Sequence, residues 1–134
     1  MLRGVTRSLM KNNPVGWFEI YVQDLERAKG FYETVLGTTL SPLSDPSPEF
    51  TMLAFPMDFT ATGCPGALVK MEGKDSGNGG TLIYFTCEDC AVEASRVTGA
   101  GGSVMKEKFS IGEYGHIALV HDTEGNLIGL HSMA

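Results

Sequence analysis

Glu19 sits in an alternating stretch near the start of the chain, and His116 and His131 lie toward its end. A carboxylate on a partly apolar wall has its charged form disfavoured, so Glu19 is a candidate general base near neutral pH. A histidine could serve as its acid partner or as a donor to a substrate. The competing reading is structural, with Glu19 reaching water at a sheet edge or dimer seam and each strand histidine held by its neighbours. His121 precedes Asp122 at a turn and reads as solvated. Glu19, His116 and His131 could also form a displaced metal site, although nothing in their spacing demands one.

A second constellation is "CEDC", Cys87 to Cys90, at a strand-to-helix junction. A redox dithiol uses a helix N-terminus to lower a thiol pKa. Glu88 and Asp89 between the thiols oppose that lowering, so the pair reads as small buried hydrophobes. Three cysteines are an odd count, which argues against a disulfide framework. "EGKDSGNGG" (72–80) lacks the lysine-plus-hydroxyl pair of a phosphate-binding loop, Lys74 being followed by Asp75. "DTEGN" (122–126) has too few carboxylates for a calcium loop, and its Gly125-Asn126 pair fits a tight hairpin turn.

The elements that must position these groups emerge when the chain is slid along itself by 65 residues, laying "WFEIYVQDLERA" (17–28) over "LIYFTCEDCAVE" (82–93). Phe18 then meets Ile83, Ile20 meets Phe85, Val22 meets Cys87, Asp24 meets Asp89 and Gly37 meets Gly102. Two copies of one supersecondary unit follow. Each begins with strand alternation and continues through a cap, Asp24 or Asp89, into a helix. The first helix carries an apolar stripe from Leu25 to Leu36 and stops at Gly37. The second runs from Cys90 past Val97 into "GAGG" (99–102), whose glycines permit a left-handed ending. Strand candidates follow near 38–43, 50–57 and 66–71 in the first copy, and near 102–106, 115–121 and 127–132 in the second. The polar, glycine-rich stretch 72–80 reads as a mobile linker.

With both units laid out, "WFEIYVQDLERAKGFYETVLG", "GTLIYFTCEDC", "GAGGSV" and "IGEYGHIALVHDTEGNLIGLHS" together resemble the vicinal oxygen chelate superfamily, the glyoxalase and bleomycin-resistance proteins. The resemblance runs from about Val15 to Ser132. It implies an α+β fold in which two βαβββ modules form a U-shaped, mostly antiparallel eight-stranded sheet around a cavity, often in a homodimer. The modules would span about 14–71 and 81–134 of a single domain, 14–134, after a flexible basic leader, 1–13. The superfamily's metal enzymes place one ligand on the first and one on the last strand of each module. Those positions hold Trp17, Leu82, Gly129 and either Ala67 or Val69, none able to coordinate a divalent metal. The resemblance therefore implies a cavity with no metal or other cofactor.

Alternation assigns the two strand faces. Phe18, Ile20, Ile83, Phe85, Ile117, Leu119, Ile128 and Leu130 should lie under the helices. The opposite face would present Trp17, Glu19, Tyr84, His116, Gly129 and His131 to a ligand, with Tyr21, Leu82, Thr86 and Leu127 completing an apolar and aromatic wall. Glycine at 129 would add room.

At 134 residues and 43% hydrophobic composition, the chain suits one globular domain. Residues 1–13 carry Arg3, Arg7 and Lys11 without an acid, so the remainder is more acidic than the net charge of −6. An acidic body repels phosphate backbones, which excludes a nucleic-acid partner. No stretch is apolar enough to span a membrane or act as a secretory signal, so a cytoplasmic protein is expected. The leading expectation is a metal-free protein that binds a small organic molecule, as a homodimer. The alternatives are a metal-independent lyase or isomerase of glyoxalase type, using Glu19 with a histidine, and a non-catalytic structural or regulatory module pairing through strand edges.

Overall fold

The computed structural model describes residues 13–43 and 49–134, so the basic leader, Asn13 apart, lies outside the described residues. Ten elements follow in chain order. The first five are β1 (Val15–Tyr21), α1 (Leu25–Leu36), β2 (Ser41–Leu43), β3 (Phe50–Ala54) and β4 (Gly66–Met71). The second five are β5 (Thr81–Thr86), α2 (Cys90–Val97), β6 (Ser103–Ser110), β7 (His116–His121) and β8 (Leu127–Ser132), with a short 3-10 turn at Gly112–Tyr114. This is the α+β arrangement of two βαβββ modules. None of the helices among the described residues is long and apolar enough to cross a membrane.

Both helix starts are built as the sequence demands. Asp24 is extended and its carboxylate accepts from the Arg27 N–H, while Asp89 is likewise extended and accepts from the Ala91 N–H. The first helix ends on Gly37 in the left-handed conformation (φ 63°). The second closes on Thr98 in right-handed geometry, and the positive-φ turn residue that follows is Gly101 (φ 100°), inside the expected stretch 99–102.

The described chain divides into two compact units, one of residues Trp17–Ile83 and one of Tyr84–Ala134 together with residues 13–16. In the first, the strand order is β2-β3-β4-β1, with β1 parallel to β4 and the other neighbours antiparallel. Its core joins Val22, Leu40, Leu53 and Leu68 to Ile20 on the strand side and Leu25, Ala28 and Tyr32 on α1. Stretch 72–80 is folded into turns rather than left loose. The Gly80 carbonyl accepts from the Tyr21 N–H at 2.7 Å, and the Gly80 N–H donates to Gly77 at 2.8 Å.

In the second unit the order is β5-β8-β7-β6, with β5 parallel to β8. Here the core is Cys90, Ala94, Ala118, Val120 and Leu130, flanked by Phe85, Val97 and Ile128. The face assignment of β7 is therefore opposite to expectation. Ala118 (0% exposed) and Val120 (2%) lie under α2, and Ile117 and Leu119 point to the other side. In "IALV" every residue is apolar, so alternation alone cannot choose a face. Close approach of α2, which presents Cys90 and Ala94, selects the smaller pair.

The β7–β8 connection is wider than a two-residue hairpin. The Asp122 carboxylate accepts from the backbone N–H groups of Glu124 and Asn126 and from the Asn126 side chain, and Gly125 supplies positive φ (83°). A three-residue loop ending on a left-handed glycine follows.

Candidate functional site

Strand alternation on β1 brings Trp17, Glu19 and Tyr21 onto one face, and their side chains join. The Trp17 indole N–H donates to Glu19 Oε2 at 3.1 Å, and the Tyr21 hydroxyl donates to Glu19 Oε1 at 2.7 Å. Register pairs Glu19 with Ala67 and Tyr21 with Val69 across the parallel β1–β4 ladder, so these buried aliphatic residues share the face. Lys74, from the turn after β4, places its ammonium 5.0 Å from the Tyr21 ring centroid. Sequence reasoning missed Lys74, because a turn residue 53 positions from Tyr21 leaves no periodic signal. It did place Tyr21 on the wall, but not as a partner of Glu19, although the W-x-E-x-Y spacing carries that information.

An open recess of about 290 Å³ lies near the end of this ladder, lined by Gln23, Phe50, Lys70, Met71 and Lys74 among others. Its charges are of both signs, including Glu72 and Asp75. It is not the apolar, aromatic cleft expected from alternation.

In the second unit, Tyr84, Gly129 and His131 share a face with Ile117 and Leu119. Gly129 does not leave open room: the Tyr84 ring lies across it, and a Cβ at 129 would collide with ring atoms. His131 Nε2 stands 2.6 Å from the Tyr114 carbonyl oxygen, so that nitrogen carries the proton and donates, tying β8 to the 3-10 turn.

His116 is a correction. It pairs in register with Ser132, and so lies on the same side of β7 as Ala118 and Val120, facing the start of α2 rather than the face of Gly129. There the Ser132 hydroxyl accepts from the Cys90 N–H at 2.9 Å. Nearby, Asp89 accepts from the Lys108 ammonium at 2.9 Å, and this bond leads the causes that hold its carboxyl below the usual range, with His116 adding a smaller attraction. His116 thus belongs to the electrostatics of a helix start. The error is the same one-residue choice of face made for the whole of β7.

The thiols behave as hydrophobes. Cys90 is fully buried in the core, and Cys87 is pushed up to about 11 by burial first, then by Glu93 and Cys90. Such thiols are poor nucleophiles.

The positions that the resemblance marks for metal ligands can be compared by ladder register. Glu19 pairs with Ala67 on β1–β4 as Tyr84 pairs with Gly129 on β5–β8, and Glu19 and Tyr84 are 65 residues apart, the repeat spacing. Ala67, not Val69, is thus the counterpart of Gly129. Trp17, Leu82, Ala67 and Gly129 offer no side-chain lone pair suited to a divalent ion, and the Tyr84 ring covers the last. The superfamily's metal does not fit these positions. Among the described residues no three His, Cys, Asp or Glu side chains converge as a metal cluster.

Comparison with known proteins supports the fold. Residues 15–56 match the family described as bleomycin resistance protein-like N-terminal. No curated protein gives a significant match. Among solved structures, methylmalonyl-CoA epimerase from Mycobacterium tuberculosis superposes with a TM-score of 0.64 at 16% identity, covering 90% of this chain and 88% of that one. A Streptomyces coelicolor methylmalonyl-CoA epimerase variant in complex with 2-nitronate-propionyl-CoA gives 0.63 at 16% identity, covering 91% and 98%. A hypothetical protein from Bacillus halodurans C-125 gives 0.67 at 14% identity, covering 88% and 92%. At such identities these likenesses establish architecture and leave chemistry to the residues.

Proposed function

Because this chain has the fold of the vicinal oxygen chelate superfamily, that of the glyoxalase and bleomycin-resistance proteins, we propose that it binds a small organic molecule without a resident metal, on the strand face of Trp17, Glu19 and Tyr21. The observation that carries this reading is the Glu19 carboxylate, held between two aromatic donors above the aliphatic Ala67 and Val69. Ligand sites are commonly built this way, from apolar and aromatic surface with a few fixed polar groups. A homodimer is part of the proposal and is read by light scattering.

The test is a ligand screen by quenching of Trp17 fluorescence, together with elemental analysis of protein purified without chelator. Acyl-CoA thioesters belong in that screen, since two of the fold neighbours are methylmalonyl-CoA epimerases. The reading expects a ligand that quenches Trp17 and loses affinity in Glu19→Ala. Stoichiometric zinc, nickel, manganese or iron would overturn the metal-free part.

The same carboxylate favours a second reading, an isomerase or lyase of glyoxalase type in which Glu19 moves a proton. The three histidines lie in the Tyr84–Ala134 sequence, and none lies in the unit that carries Glu19. Glu19→Gln should then abolish turnover while leaving ligand affinity within a few fold. Turnover that survives this change removes the mechanism.

A further inference from the structure

We infer that Trp17 and Tyr21 form a two-sided clamp that fixes Glu19 as an ionised acceptor, which makes Tyr21 a positioning residue and commits the site to ligands presenting an N–H or O–H donor. The clamp follows from β geometry. Residues 17, 19 and 21 project to one face, and the middle carboxylate receives one donor on each oxygen, at 3.1 Å and 2.7 Å. Two bonds from opposite sides fix the plane of the carboxylate as well as its position.

Tyr21 is itself held. It is 8% exposed, its backbone N–H donates to Gly80, and the Lys74 ammonium sits over its ring. The neighbouring Ala67 and Val69 are apolar and buried, and low local polarity strengthens the two bonds. An ionised carboxylate only accepts hydrogen bonds, so what Glu19 offers a further group is acceptance. A ligand group without a donor gains nothing there.

The clamp belongs to the free protein; only the ligand class rests on the proposed function. Trp17 is the single tryptophan, so its emission and its indole N–H resonance report the clamp directly. In the wild type both should change on acidification, as the carboxylate gains a proton and loses its acceptor strength. Glu19→Gln should remove the change. Tyr21→Phe, which keeps the ring, should move its midpoint to higher pH, because one donor to the charged form is gone. An unmoved midpoint in a Tyr21→Phe variant with wild-type circular dichroism would overturn the clamp.

The ligand class is tested with matched pairs of fragments, phenol with anisole and benzamide with N,N-dimethylbenzamide, followed by Trp17 quenching. Donor-bearing members should bind at least several fold more tightly than their methylated partners, and the preference should vanish in Glu19→Ala, which leaves no acceptor on that side chain. Equal binding within each pair overturns the ligand class while leaving both the clamp and the binding function standing. Complete indifference of Trp17 to all four fragments counts against the binding function instead, and the pH titration still decides the clamp.

Discussion

The aromatic ring of Tyr84 lies across Gly129, its register partner on the neighbouring strand, so the glycine serves a protein ring. Tyr84 is 7% exposed, and its position requires that nothing project from residue 129. Glycine usually weakens a strand, and a covering aromatic ring restores part of the lost packing.

Gly129→Ala should therefore destabilise the protein by about 1–3 kcal/mol, the usual cost of overpacking. Urea denaturation gives the value. In a Tyr84→Ala background the penalty should largely disappear, a coupling that a double-mutant cycle measures. A full penalty in that background would mean that the ring is not what Gly129 accommodates.

Metal removal should leave stability unchanged. Dialysis against EDTA is expected to keep Tm constant, and added zinc, nickel or manganese should not raise it, because an ion that binds the native state stabilises it by mass action. A concentration-dependent rise in Tm with one ion would contradict the donor-set argument.

Thiol labelling should distinguish buried hydrophobes from a redox pair. With Cys87 pushed up from 9.0 to about 11, its thiolate fraction at pH 8 should be roughly a hundredfold below that of the unfolded chain. Iodoacetamide labelling followed by mass spectrometry should thus modify Cys87 slowly and the fully buried Cys90 more slowly still, until urea is added. Rapid loss of both thiols in the native protein would restore the redox reading.

Acid should weaken the fold through Asp89 and Asp122. Lys108 leads the causes that hold Asp89 below 3.8, and the Asn126 side chain leads those that hold Asp122 there. The folded state thus binds fewer protons than the unfolded state in this range. The stabilisation is fully present above the unfolded value, and it is lost as pH falls from about 4 through the lower folded values. The urea midpoint should drop over that window. Asp89→Asn keeps a capping side chain but removes the charge, so its acid limb should be flatter. An acid limb identical to wild type would show that the pair with Lys108 contributes nothing.

Much of the fold is written locally. Asp24 and Asp89 can cap only helices that begin where they do, Gly37 ends the first, and the 65-residue repeat predicts a second copy of the same unit. Strands β4 and β8 fall at 66–71 and 127–132, as their alternation and flanking turns predict.

Pairing and packing decided the rest. Whether Ile117 or Ala118 faces α2 depends on how close a helix approaches, which an all-apolar strand does not encode, and the placement of His116 followed from that choice. The equivalence of Ala67 with Gly129 required the ladder register, and the filling of position 129 by Tyr84 required two strands far apart in sequence to lie side by side. Local rules specify which residues a short segment can turn, cap or alternate. Contacts between distant segments arise only when burial brings them together, and those contacts turn His116 toward α2 and close Gly129.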